Sequence, residues 1–426
     1  MARLLLIADD FTGALDTGVQ FARQNIGTQL RSGEEAVRPQ PPPGDPTAIW
    51  VIDTQSRHLS PRDASRKIEA AAAWGLQGNI RLFYKKTDST LRGNVGAELS
   101  ALLRATAAPR LLFVPAWPAM GRTTHAGRQH VEGAPLERSA FASAPLEPTP
   151  ESSVAALLAR QTSTPVQIIP ETAALDDVLA DDMRRGILVF DAQSEERLLE
   201  IGVAARRCGK DRLFAGCAGF AAALARTMDF ARQEATPSRR PSGGAMLIVC
   251  GSLSERSRGQ AAVMEQAGVP AVVPSPPSGP FETRQTAQRL AAHLSRAGRA
   301  LLRTAGAGSP IPSCEDPAPA GAGDRDSPRA AIARGLGQIV AETLRQTPVS
   351  WLVIFGGDTA RAVVDALGAP GLKIRDEVTP GVVYSEVEWP DGPLGLITKA
   401  GGFGAMDVWR DIERFAQRPP AETVTP

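Results

Sequence analysis

The sequence predicts two α/β domains, on three observations: short apolar runs alternate with helical periodicity, a second such series starts near residue 245, and a polar break separates the two. In the first series, residues 3–8, 48–53, 110–115 and 186–191 are apolar runs of strand length, and residues 13–24 and 195–207 carry helical spacing. The second series has strand-like runs at 245–250, 299–303 and 350–355 and a helical stretch at 329–345. Between them, residues 233–244 (QEATPSRRPSGG) lack apolar periodicity and are rich in Pro, Ser, Gly and charge, as an exposed linker is. The expected domains are therefore 1–232 and 245–426. Pro- and Gly-rich stretches at 38–46 and 305–328 read as surface loops, and no internal repeat stands out.

At 426 residues the chain exceeds what one hydrophobic core organises, and 43% apolar with 22% charged residues is the balance of a globular protein. A formal net charge of +1 gives no basic field to hold a nucleic acid, so small substrates are favoured and no nucleic-acid partner is expected. The four cysteines form no C-x-x-C pair or His/Cys cluster at zinc spacing, so no metal-ligating residues are assigned. Residues 4–8 are apolar but meet Asp9 and Asp10 at once, too short for a signal peptide or a membrane span. A cytoplasmic protein without a membrane partner is the expectation.

Several nucleotide and hydrolase signatures are missing. Gly209-Lys210 is followed by Asp211 and lacks the upstream glycine of a Walker loop, and no G-x-G-x-x-G follows a strand, which weakens a nicotinamide dehydrogenase. G-x-S-x-G and H-E-x-x-H are absent too. Gly321-Ala322-Gly323-Asp324 spells a sugar-kinase tetrapeptide, but no strand precedes it in its Pro/Gly loop, and it reads as a chance match.

Three strand-to-loop junctions in the second half suit a nucleotide. The run 351–355 ends in Gly356-Gly357-Asp358-Thr359, with helical periodicity over 360–367 and a stop at Gly368. Its glycines and helix start can cradle phosphate, or Asp358 or Thr359 can simply cap an ordinary turn. A second strand at 394–398 leads into Lys399-Ala400-Gly401-Gly402-Phe403-Gly404, with a helix expected from about 405. The third junction, Cys250-Gly251-Ser252-Leu253-Ser254, offers the Ser252 and Ser254 hydroxyls to a nucleotide, or Ser254 as a helix cap. The candidate nucleotide residues are Ser252, Ser254, Gly356, Gly357, Asp358, Thr359, Gly401 and Gly402.

In the first half, Asp9, Asp10 and Asp16 crowd a strand-to-helix turn together with Thr12 and Thr17. Adjacent carboxylates repel unless a cation, solvent or a substrate hydroxyl meets them, and one cap needs only one of them. Lys86, Thr87, Asp88, Ser89 and Arg92 form a second dense segment, and Arg57 and Arg122 follow two further strands. Arginine and lysine can pair with a substrate carboxylate while Asp88 orients a hydroxyl, although each arginine taken singly also fits a surface ion pair.

With these segments in view, the sequence resembles the four-carbon acid sugar kinase family. The resemblance rests on IADDFTGALDTGVQFA (7–22), KKTDSTLRGNVGAEL (85–99), VPAWPAMGRTTHAG (114–127), CGSLSERSRGQ (250–260), FGGDTARAVV (355–364) and ITKAGGFG (397–404), which span nearly the whole chain. It implies an N-terminal acid-sugar domain, a C-terminal ATP domain and a ligand cleft between them. On that resemblance Asp9, Asp10, Arg57 and Lys86–Ser89 hold the acid, and Ser252, Gly356–Thr359 and Gly401 hold ATP. The implied product is a 4-phosphate. Phosphoryl transfer needs mainly positioning and charge stabilisation, so the expectation includes Mg²⁺ bridging the ATP phosphates and one carboxylate, Asp10 or Asp88, at the acceptor hydroxyl. A catalytically silent sensor of sugar acid and nucleotide on the same fold is the alternative. A homodimer is compatible with either reading.

Overall fold

Leu4–Ala8 is five apolar residues in a row, and as a strand it is buried along its whole length, as a central parallel strand must be. The computed structural model that shows this describes residues 3–31, 47–139, 141–142, 149, 151–233, 240–252, 254–274, 283–304, 328–369, 371–389 and 392–418. The expected loops at 38–46 and 305–327, the 321–324 tetrapeptide, and residues 234–239 of the expected linker lie outside the described residues. The chain divides into two compact units, Met1–Glu234 and Ala235–Pro426.

The first unit carries an all-parallel sheet in the order Thr28–Arg31, Ile49–Asp53, Leu4–Ala8, Leu82–Lys86, Leu213–Gly216, Arg110–Val114, Gly186–Phe190, Val166–Ile169. From the first strand the chain moves two places outward, returns to fill the gap, and then crosses to the other side of the first strand. The connections after Leu4–Ala8 and Leu82–Lys86 thus diverge, the arrangement that opens a crevice at strand C-termini. Leu5, Ile7, Trp50, Phe83, Leu99 and Phe113 belong to the core under this sheet. The helix Pro61–Gln77, which the periodicity reading passed over, starts at Ser60, whose hydroxyl accepts from Asp63 N, with Pro61 in the first turn. A small antiparallel sheet (Arg122–His125, Arg128–Val131, Ala134–Pro135) stands apart from the parallel one.

The second unit repeats the same opening order with different residues: Ala271–Val272, Arg299–Arg303, Met246–Cys250, Trp351–Phe355, all parallel. Gly392–Lys399 joins in parallel, and Val382–Trp389 and Leu372–Thr379 follow as an antiparallel hairpin. That hairpin escaped the sequence reading because charged residues interrupt its first strand (LKIRDEVT), in which only Leu372 and Ile374 are buried. Trp351, Tyr384 and Phe415 pack as a cluster with ring centroids 5.4–6.3 Å apart. The last helix begins at Val408 rather than near 405, since residues 401–407 stay in turns. No helix among the described residues is long and apolar enough to cross a membrane.

Candidate functional site

Three segments of the first unit meet at the divergent strand ends. Asp9 directly follows the first strand, and its carbonyl accepts from Ser56 N at 3.0 Å, which pins the turn after Ile49–Asp53 beside it. Arg57 then reaches back: Nε donates to Asp9 Oδ2 at 2.8 Å, and Nη2 donates to Asp9 Oδ1 at 3.2 Å and to Asp10 Oδ1 at 2.8 Å. Asp88 Oδ1 lies 4.0 Å from the same Nη2. One guanidinium therefore sits among three carboxylates, which answers the repulsion that the adjacent aspartates would otherwise suffer. Burial works to raise the Asp9 pKa, but Arg57, Lys85 and Lys86 outweigh it and hold the carboxyl down at about 2.

Asp10 caps the helix Phe11–Ala22, accepting from Gly13 N at 3.1 Å, and its other oxygen accepts from Thr12 Oγ1 at 2.7 Å. A methyl group at Gly13 would fall 2.8 Å from Lys86 Nζ, so the glycine admits that ammonium to the helix start. Lys86 is buried, its carbonyl accepts from Lys85 Nζ at 2.6 Å, and its ammonium has no hydrogen-bond or ion-pair partner among the described residues. Asp88 is more heavily engaged. Arg92 donates to it through Nε at 2.9 Å and Nη2 at 2.7 Å, Thr90 N donates at 3.0 Å, and the Thr90 hydroxyl donates as well. Burial opposes its ionisation, yet Arg92, Arg57 and Lys86 together keep the Asp88 carboxyl well below the usual range. Side-chain exposure separates the two candidate bases: 25% for Asp10 and 9% for Asp88.

Thr87 lies in the same turn, its N–H held by the Gly216 carbonyl and its buried hydroxyl without a partner among the described residues. The Ser89 carbonyl accepts from Gln129 Nε2 at 2.9 Å. Arg122 departs from expectation: it donates to the Met120 carbonyl and lies over the Phe141 ring, 5.8 Å from its centroid, instead of joining the carboxylates. Its place on the small antiparallel sheet, off the end of the parallel strands, explains this. Beneath the cluster, Lys85 Nζ pairs with Glu98 Oε2 at 2.9 Å, both fully buried, and Ser56 donates to the other Glu98 oxygen. The sequence reading missed Lys85, Glu98 and Ser56 as site residues. The available signal was a lysine inside an apolar strand run, where a solvated cation does not fit.

In the second unit three loops converge. Gly356 adopts φ +112°, and a side chain there would press within 3.2 Å of Ser252 Cβ, while a methyl at Gly401 would lie 2.8 Å from Ser252 Oγ. Ser252 is thereby the point where all three glycine loops touch. The helix Gly357–Ala366 starts without a side-chain cap, because its N-cap residue is Gly356; the Asp358 carboxylate accepts from Arg329 Nη2 at 3.3 Å. Thr359 is buried against the would-be Cβ position of Gly251. The N–H groups of Gly357, Asp358 and Thr359 donate to nothing among the described residues. Ser254 stands at the N-cap of Glu255–Gln266 but does not cap it; its hydroxyl donates to the Gly401 carbonyl at 3.0 Å. Gly402 has open space where a side chain would be.

The comparisons with known proteins follow this division. A family described as "Sugar-binding N-terminal domain" matches residues 4–224, and one described as "Nucleotide-binding C-terminal domain" matches residues 247–408. The chain is 32% identical to a D-threonate kinase of Salmonella typhimurium over 95% of this chain and 96% of that one. It is 34% identical to a D-threonate kinase of Cupriavidus necator (94% and 95%) and 30% identical to a D-erythronate kinase of Heliobacterium modesticaldum (96% and 95%). Crystal structures of proteins from Salmonella typhimurium (TM-score 0.77, 23% identity) and Haemophilus influenzae (TM-score 0.73, 22% identity) share the fold over 97% of this chain and 100% of each of theirs.

Proposed function

The chain belongs to the four-carbon acid sugar kinase family, and from that membership we propose that it transfers the terminal phosphoryl group of ATP to the 4-hydroxyl of a four-carbon sugar acid such as D-threonate or D-erythronate. The observation that carries this reading is the uncapped helix start at Gly357–Thr359: free backbone donors at the positive end of a helix suit an anionic phosphate. The Gly401–Gly404 loop adds further donors, and Ser252 lies between the two.

On the acceptor side Arg57 and Arg92 already face carboxylates, which leaves Lys86 as the cation for the carboxylate of the acid. Asp10 is the base in this proposal: it is the more accessible aspartate, and it holds its proton acceptor beside the Lys86 ammonium at the helix start. Asp88, saturated by Arg92 and Thr90, fixes the turn that presents Lys86 and Thr87. ATP supplies the phosphoryl group when bound. The described residues hold no group of three or more His, Cys, Asp or Glu that could bind a metal, so a Mg²⁺ ion would take its oxygen ligands mainly from the nucleotide phosphates and water, as this ion commonly does. The cytoplasm, where ATP is available and thiols such as Cys217 and Cys250 stay reduced, is the proposed setting.

A coupled ADP-release assay with MgATP and a panel of D-threonate, D-erythronate, L-threonate and 3-oxo-tetronate tests the proposal. Release stimulated by one or more of these acids is expected. No turnover of any of them overturns it.

A further inference from the structure

We propose that Lys399 is the positioning residue of the nucleotide loop, its buried ammonium turning the carbonyls of residues 400, 401 and 403 inward so that the amides of Gly401, Gly402 and Gly404 face outward to phosphate. This deepens the ATP reading and rests on it. Lys399 closes the strand Gly392–Lys399, is fully buried, and sits over the Phe355 ring, 4.9 Å from its centroid. Its Nζ donates to the carbonyls of Ala400 (2.9 Å), Gly401 (3.1 Å) and Phe403 (3.0 Å), with Ser257 Oγ at 3.3 Å. An ammonium has three hydrogens, and these acceptors exhaust them, so Lys399 has none left for a ligand.

The geometry of the peptide unit does the rest. In a trans peptide the N–H points opposite to the C=O, so carbonyls 400, 401 and 403 drawn toward Nζ send the N–H groups of Gly401, Gly402 and Gly404 the other way. Those three N–H groups donate to nothing among the described residues. Successive outward amides of this kind form an anion-binding concavity. The neighbours reinforce the same shape: Ser254 and Ser257 donate to the Gly401 carbonyl, and Gln260 Nε2 donates to those of Phe403, Gly404 and Ala405.

The charged and titratable groups facing the ammonium are the Cys250 thiol, on the Met246–Cys250 strand beyond Trp351–Phe355, and Arg256, on the Glu255–Gln266 helix; among the described residues no carboxylate pairs with it. Burial, with Arg256 adding to it, lowers the Lys399 pKa to about 8 although Cys250 acts in the other direction. A neutral amine keeps only two donors, so the loop loses a tether as pH rises through that value.

The experiment measures ADP affinity by calorimetry, and KM for ATP and for the sugar acid, in wild type, Lys399→Met and Lys399→Arg. The expected result is a rise of about tenfold or more in ADP Kd and ATP KM for Lys399→Met, unchanged KM for the acid, and partial recovery in Lys399→Arg. Wild-type ADP affinity should weaken between pH 7 and 9.5, and that dependence should be absent in Lys399→Arg. A folded Lys399→Met protein with wild-type ADP affinity overturns the inference and leaves the kinase reading standing. If neither variant folds, a flat wild-type pH profile overturns it instead. A wild type that binds no adenine nucleotide removes the kinase reading and this inference with it.

Discussion

Arg57 grips Asp9 with two hydrogen bonds, Nε to Oδ2 at 2.8 Å and Nη2 to Oδ1 at 3.2 Å, and so ties together the exits of two neighbouring strands. Both side chains are nearly buried, and removing one leaves the other charge stranded in a medium that solvates it poorly. Arg57→Met should destabilise the fold by about 3–5 kcal/mol in urea unfolding and abolish turnover. The acid limb carries a second signature. Because Asp9 is held at about 2 in the folded chain against 3.8 for the free group, it contributes on the order of 2 kcal/mol above pH ~4, lost as pH falls through the folded value. Arg57→Met should move acid unfolding to higher pH.

Asp10 and Asp88 should separate kinetically. Asp10→Asn keeps the helix cap, since asparagine accepts from Gly13 N equally well, but cannot take a proton. Its kcat should fall by about 10²–10⁴ with little change in stability. Asp88→Asn loses the fork to Arg92 and should raise the KM of the acid and lower the melting temperature. Undiminished kcat in Asp10→Asn would sink the assignment of the base.

Gly356→Ala forces a side chain into φ +112° and against Ser252, at a backbone strain of about 1–3 kcal/mol. ATP KM should rise about tenfold or more, with the acid KM unaffected. Gly402→Ala meets no atom within 4 Å and should melt like wild type, which differential scanning calorimetry will show.

Glu98→Gln removes the partner of a lysine that has no solvent to turn to. A loss of about 3–5 kcal/mol is expected, and Lys85→Met combined with Glu98→Gln should recover part of it, since no stranded charge remains. Additive losses in the double variant would show that the two residues are not coupled.

The alternation of apolar runs and helical spacing made the α/β class readable, because parallel strands buried on both faces announce themselves as unbroken hydrophobic runs such as Leu4–Ala8 and Trp351–Phe355. The hairpin Leu372–Trp389 did not, since a half-exposed strand bearing Lys373, Arg375 and Asp376 has no such run. In the first unit Asp9, Asp10, Arg57 and Asp88 were legible as dense polar turns, and they do converge. Arg122 looked alike in sequence and lies elsewhere, because a strand end is informative only when its strand belongs to the same sheet. Lys399 and Glu98 were hidden for a different reason. A charged residue normally reads as surface, and what makes these two internal is the set of carbonyls and countercharges that folding gathers around them.

Lys85 and Lys86 are neighbours in the chain with unlike surroundings: the first meets Glu98 of one helix, the second the start of Phe11–Ala22. Side chains on a strand alternate between faces, so parity alone decides which lysine serves as structural counterion and which is left for a ligand. A deletion or insertion of one residue within Leu82–Lys86 would turn each lysine to the opposite face of the sheet. Two identical letters side by side are therefore not redundant here: a slip in count alone, with both lysines retained, would break the pairing with Glu98 and the placement at the helix start together.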